Sequence, residues 1–317
     1  MRFPFWLLVL VLTARVLAVS PTAYVARMGV GIDANWATFK KEIAAYDSRV
    51  PRDFAKMGFT HVRIRAGGEP TPAYLDHLER VVKDSLAAGL VPVLAYGGGG
   101  LNADASGENV AAAVDWWRVV AERFAGYPEA LSFDLFIEPA KAINERPDLL
   151  LDYYRRALAV IRPQHPGRIV FLAPRRTAKP NYLPELEPLF AADEHLAAES
   201  HFYASGPSKT RAARKWTSGT PAERAQVQRY IDALVAWREK TGVPVWQGAW
   251  MPGNYNKGND FSVPEQVAFA TFMACSLRAA QIPYAVNADQ KFYDIQKKSW
   301  LPEMLPVAEA FIRPNCR

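Results

Sequence analysis

The chain has 317 residues, half of them hydrophobic, with 38 Lys and Arg against 32 Asp and Glu and a pI near 9.2. That length and apolar fraction suffice for one large domain or two ordinary ones, and barrel folds of this size are commonly single, so the core is not limiting. The cations are scattered, which argues against a nucleic-acid footprint. The only cysteines, Cys275 and Cys316, give no metal-ligand spacing, so no metal or cofactor is expected.

At the N-terminus, Arg2 precedes the apolar run Trp6–Leu12, and Val16-Leu17-Ala18 has the offsets of a cleavage site. Residues 1–18 therefore read as a secretory signal peptide, and the run is too short to span a bilayer comfortably. No second run approaches spanning length. The mature chain is expected outside the cytoplasm, secreted or periplasmic, without stable membrane insertion, and monomeric. In such a compartment Cys275 and Cys316 either tie the C-terminal tail to a late helix or remain as two thiols.

From about Tyr24 onward, eight short apolar runs alternate with longer amphipathic ones, without a linker. The expected strands are 27–32, 61–64, 91–95, 131–137, 168–173, 197–203, 243–248 and 282–286, with helices at 110–124, 149–161, 221–240 and 264–280. Thr220-Pro221 with Glu223 has the form of a capping box, Pro264 suits a first turn, and Gly242 follows Lys240 as a stop. Eight alternations over residues 19–317 point to a single α/β domain, a (β/α)8 TIM barrel. A doubly wound open sheet is the runner-up, but Gly29-Val30-Gly31 lacks the third glycine of a dinucleotide loop. The run Gly97–Gly100 reads as a mobile loop in preference to a ligand cradle, since no Lys and Ser or Thr accompany it.

The run Leu131–Glu138 before Pro139 is bounded like an interior strand and delivers one acid, Glu138, to its end. In a barrel, the loops after the strands build the site. Falling there are Asp33, Asn35 and Trp36; Arg63 and Arg65, with Glu69 beyond; Tyr96; Glu138; Arg175, Arg176 and Lys179; His201 and Tyr203; Trp246, Trp250 and Asn254; and Asn287 and Asp289. Tryptophan and tyrosine mixed with carboxylate, amide and imidazole suit sugar recognition, so the expected partner is a polysaccharide or oligosaccharide. Period-two spacing puts His61, Arg63 and Arg65 on one face, and Glu199, His201 and Tyr203 on another. If these faces point inward, the charges must pair, with Asp134 and Glu138 as partners for Arg63. His61 and Asp134 read as satisfied interior groups in preference to catalytic ones.

Over nearly the whole mature length the chain resembles glycoside hydrolase family 5, the cellulase-like members of the retaining (β/α)8 clan. The matching segments are Gly29–Trp36, Ala55–Ile64, Ala88–Val93, Ile137-Glu138-Pro139, His201-Phe202-Tyr203 and Gly242–Gly248, in the family's order. The resemblance implies that Arg63 is the strand-two arginine, Glu138 the acid/base, and His201 and Tyr203 the strand-six pair near the catalytic centre. Four positions depart from the pattern. Ile137 replaces the asparagine before the acid/base, Tyr96-Gly97 stands where a histidine is usual, and Asn287 is near the lost sugar-floor tryptophan. Ala249 occupies the nucleophile position.

A retaining glycosidase needs two carboxyl groups about 5 Å apart, and an inverting one roughly 6.5–9.5 Å. With Ala249 the second carboxyl is replaced by substitution of a glutamate, relocated to Asp33, Glu69, Glu199 or Asp289, or lost together with hydrolysis. The leading expectation is a glycoside hydrolase acting on a β-linked glycan, with Glu138 as general acid and its pKa raised by burial among aromatic rings. Arg65, Arg175, Arg176 and Lys179 admit an acidic sugar, or read equally as solvated cations. The alternatives are a glycan-binding barrel in polysaccharide assembly and a lyase using Tyr203 and His201.

Overall fold

The computed structural model describes residues 19–203, 216–253 and 261–316. The expected signal peptide and Asn254 lie outside them. Eight parallel strands form a closed barrel: β1 Val30–Ala34, β2 His61–Ala66, β3 Val91–Tyr96, β4 Ser132–Asp134, β5 Val170–Leu172, β6 Leu196–His201, β7 Val245–Trp250 and β8 Tyr284–Val286. β1 pairs with β8 through Val30↔Tyr284, Gly31↔Ala285 and Ile32↔Val286, which rules out the open sheet. The expected helices are present as Gly107–Arg123, Pro147–Ile161, Pro221–Thr241 and Val263–Ala279. The Thr220/Glu223 capping box forms as the sequence suggests, and Ser262/Glu265 makes a second one. No described helix is long and apolar enough to cross a membrane.

The strands are buried on both faces, and each face has its own composition. Ile32, Val62, Ile64, Leu94 and Phe133 join the layer between barrel and helices. The bottom of the barrel is closed by Tyr24 and Val25 from the helix Pro21–Ala26 and by Met28 just after it, packed on Val93, Ile169, Phe171 and Trp246. Above this plug lies His61, whose Nδ1 pairs with Met28 O at 2.7 Å while Nε2 accepts from Trp246 Nε1 at 3.1 Å. Burial lowers its pKa to about 4, so the ring is neutral. A Cβ at Gly31 would come within 2.2 Å of that ring. His61 is thus the satisfied interior group its sequence context suggests.

Two differences from the expected strands bear on the site. β4 ends at Asp134, not at residue 137: Asp134 Oδ1 accepts the amide of Phe136 at 3.3 Å, while Leu135 N still donates to Phe171 O and Ile137 N to Tyr96 O. Glu138 then takes φ +62°, a left-handed conformation that a glutamate holds only where its surroundings impose it. The glycine run leads into a helical turn. Gly98 (φ +59°) passes over the ring of Phe136, where a Cβ would sit 2.0 Å from the ring, and opens the short helix Gly99–Ala103. Cys275 and Cys316 form a disulfide with Cα atoms 5.5 Å apart, which selects the tied tail over two thiols.

Candidate active site

The site is built in two levels at the C-terminal end of the barrel. The lower level is wholly buried and centred on Arg63 of β2. Its Nε and Nη2 grip Asp33 of β1 in a bidentate pair at 2.8 and 2.6 Å, and Nη1 bonds Glu199 of β6 and lies 3.3 Å from Asp134 of β4. Burial alone would lower the arginine's pKa, but the charges of Asp33, Glu199 and Asp134 raise it well above the ordinary value. An arginine placed here without these acids would be a buried unpaired charge, so the inward face of β2 and the acids of its neighbours require one another.

Glu199 hands this charge upward. The oxygen that bonds Arg63 also bonds His201 Nε2, and His201 Nδ1 bonds Glu138 Oε1 at 2.8 Å. The ladder between β6 and β7 is irregular at Ser200/His201, and such an irregularity re-aims the side chain that follows it. Burial would lower the pKa of His201, but carboxylates on both ring nitrogens raise it above the usual histidine value. Both nitrogens then donate. Burial pushes Glu199 up, but Arg63 and His201 hold it down at about 2.

Glu138 departs from expectation. Burial pushes its pKa up, but the hydrogen bond and charge of His201, with Arg65 and Arg63 beyond, bring it below the ordinary carboxylate value. Its side chain is 36% exposed, which weakens desolvation as the opposing force. The expected raised pKa is therefore corrected: in the free protein Glu138 is an anion paired with an imidazolium. Its partner is His201, not Arg63.

Tyr203 and Asn287 complete the upper level, with Asn287 Nδ2 3.4 Å from the Tyr203 hydroxyl. Burial and then the charges of Glu138 and Asp33 raise the phenol well above its usual pKa. A phenol held protonated and an imidazolium bonded at both nitrogens are poor proton acceptors, which removes the physical basis of the lyase reading.

The other expected site residues are distributed differently. Arg65 is half-buried beside Glu138, and its carbonyl accepts from Thr38 Oγ1 at 2.9 Å. Tyr96 leans on Trp116 with centroids 4.7 Å apart, and its carbonyl accepts the Ile137 amide. Asn35 donates to Asp289 and Gln290 and is closed off from the mouth. Trp36, Trp246 and Trp250 are corrected from sugar platforms to core. Trp36 packs on Tyr46 and Phe54; Trp246 lies under Arg63, 5.3 Å from ring to guanidinium; and Trp250 packs on Phe269, Tyr284 and Phe311. Arg175 is committed to Glu185 by two 2.7 Å bonds and to Asn144 O, and Arg176 pairs with Glu145. Two of the four cations offered to an acidic sugar thus have acidic partners within the protein, while Lys179 is exposed.

Asn102 escaped the sequence reading. From the glycine-run helix its Nδ2 donates to Glu138 O at 3.3 Å and its Oδ1 accepts from Ala140 N at 2.7 Å, clamping the strained turn. Four glycines followed by an amide were the available signal. Of the acids considered for relocation, Asp33 and Glu199 are bound to Arg63. Asp289 is buried, accepts two bonds from Asn35, and is raised to about 6 by burial. Glu69 is exposed on the loop after β2. The imidazole fills the space between Glu138 and Glu199, so that pair admits neither a sugar carbon nor a water.

No protein-family model matches the chain. It is 24% identical over 315 residues to Endoglucanase H of Acetivibrio thermocellus, covering 91% of this chain and 33% of that relative. The chain thus spans about a third of the length of the curated relative it matches. A solved endoglucanase superposes with a TM-score of 0.80 at 21% identity, covering 93% of this chain and 100% of its own. The fold is the (β/α)8 barrel that this endoglucanase also has. Endoglucanase Cel5A from Thermotoga maritima agrees at a TM-score of 0.79 and 19% identity, covering 92% of this chain and all of its own. The mouth that carries Glu138 is therefore the end of the fold where barrels of this kind build their sites.

Proposed function

We propose that the protein is a glycoside hydrolase that takes a β-linked glucan across the barrel mouth and uses Glu138 as its proton donor. The observation that carries this is Glu138 itself, held at the mouth in a left-handed conformation and bonded to an imidazolium that a buried carboxylate supports. The likeness to proteins named endoglucanases supplies the substrate class. A sugar chain covering the mouth strips water from Glu138 and raises its pKa. The His201 Nδ1 proton can then cross 2.8 Å to Glu138, leaving a neutral imidazole on Glu199. Glu138 would pass that proton to the glycosidic oxygen.

With Ala249 at the usual nucleophile position a covalent intermediate has no partner there, so a single displacement by water is the route left. The C–O bond to the leaving sugar breaks as Glu138 protonates its oxygen, the water oxygen bonds to the anomeric carbon and gives its proton to bulk solvent at the open mouth, and the product is inverted. Export to an oxidising compartment is part of the proposal, and the Cys275–Cys316 disulfide favours it. Incubation with β-1,4-gluco-oligosaccharides, followed by proton NMR of the new anomeric centre, tests the assignment. An inverted product is expected, with turnover reduced about 10²–10⁴-fold in Glu138→Gln. Undiminished turnover in that variant refutes the role of Glu138.

A second reading, a glycan-binding barrel in polysaccharide assembly, is favoured by Ala249 and by the ionised resting state of Glu138. Affinity for the same oligosaccharides with no product after long incubation would select it.

A further inference from the structure

We propose that Asp134 is a neutral, proton-donating residue that fixes Glu199 beneath His201, and so positions the imidazolium that controls Glu138. The charged and titratable groups facing one another are Asp33 from β1, Arg63 from β2, Asp134 from β4, and Glu199 and His201 from β6, with Glu138 and Tyr203 above. The first five are wholly buried.

Arg63 cannot satisfy all three acids below it. Asp33 takes Nε and Nη2, and Glu199 takes Nη1 through Oε1, the oxygen that also serves His201. Asp134 has only a 3.3 Å contact with Nη1. Glu199 Oε2 is buried, and among the described residues no N–H or hydroxyl group reaches it. Asp134 Oδ2 and Glu199 Oε1 converge on the same Arg63 Nη1, which sets the two buried carboxyl groups side by side, and two carboxyl groups bond to each other only when one carries a proton. Glu199 touches both cations and Asp134 barely touches one, so the proton belongs on Asp134.

The charge count agrees. With Asp134 neutral, the buried set holds two anions, Asp33 and Glu199, against two cations, Arg63 and His201. With Asp134 ionised it carries an uncompensated buried charge. Burial and the charge of Glu199 also act in this direction, raising Asp134 well above the ordinary carboxylate value. This assignment does not depend on what occupies the cleft above.

Infrared difference spectra of the whole protein with ¹³C-labelled aspartate carboxyls test it. At pH 8, where Asp289 is ionised, an isotope-shifted protonated-carboxyl band is expected in the wild-type protein and its loss in Asp134→Asn. Absence of that band in the wild type overturns the proposal, whether or not the variant folds. The second measurement is the NMR titration of His201 in Asp134→Asn, which keeps a donor to Glu199. No shift is expected, because one neutral donor replaces another. A fall in the His201 pKa of about one unit or more would mean that a negative charge had been removed, and would overturn the proposal.

Discussion

Replacing Arg63 by Met tests the lower level of the site as a charge-balanced unit. The thioether keeps much of the stem's volume against Trp246, but Asp33 loses a bidentate partner at 2.8 and 2.6 Å and Glu199 loses one of its two cations. Breaking a buried pair from one side costs about 3–5 kcal/mol, since the remaining charge stays buried. For a chain longer than 250 residues each kcal/mol lowers Tm by about 2 °C, so a drop of about 6–10 °C is expected. The pH dependence supplies an independent sign. In the wild type, Glu199 is held down at about 2, so its stabilisation is complete above the ordinary carboxylate range and lost as pH falls through that range toward 2. In the variant the orphaned acids bind protons more readily in the folded than in the unfolded chain, so stability rises as pH falls from 7 to 5. Urea denaturation and calorimetry at both pH values should show the deficit shrinking at pH 5. A Tm within about 2 °C of wild type at pH 7, or a deficit that widens at pH 5, would refute the charge-balance account.

Two further perturbations test the frame around the site. The Cys275–Cys316 disulfide closes a segment with a sequence separation of 41, worth about 4 kcal/mol on the chain-entropy account, so the double Ala variant should lower the urea midpoint; an unchanged midpoint would mean the link constrains nothing. Gly31→Ala puts a Cβ within 2.2 Å of the His61 ring in a wholly buried layer, and should cost about 3 kcal/mol by overpacking; a loss below about 1 kcal/mol in denaturant titration would show that the ring can move aside.

The barrel was legible because its signal is periodic and repeated. Eight apolar runs separated by amphipathic ones leave few alternatives, and the inward faces of β2 and β6 could be read from residues two apart. The partners on those faces were only half legible. Arg63 demanded acids and Asp134 was among those named, but its partnership with Asp33 comes from strand order and register, Asp33↔Arg63, not from local spacing. The tryptophans misled for a related reason. Trp36, Trp246 and Trp250 lie near strand ends in sequence, yet β7 is irregular between Gln247 and Trp250, and the side chains fill core on both sides of the sheet. The conformation of Glu138 was invisible, since nothing in Ile137-Glu138-Pro139 requires φ +62° until Asn102 and the glycine run close over it.

The same geometry bears on the missing acid of β7. A Cβ at Gly248 would lie 2.5 Å from Glu199 Oε1, so the β6 carboxylate lies directly against the bare backbone of β7. Position 249 pairs in register with His201 and is wholly buried. Arg63 and His201 therefore find their anion on β6, and the cations are matched without a carboxylate at 249. Ala249 is then a coherent part of a rebalanced charge layer, in which Glu199 neutralises the cations and Glu138 alone faces the open mouth.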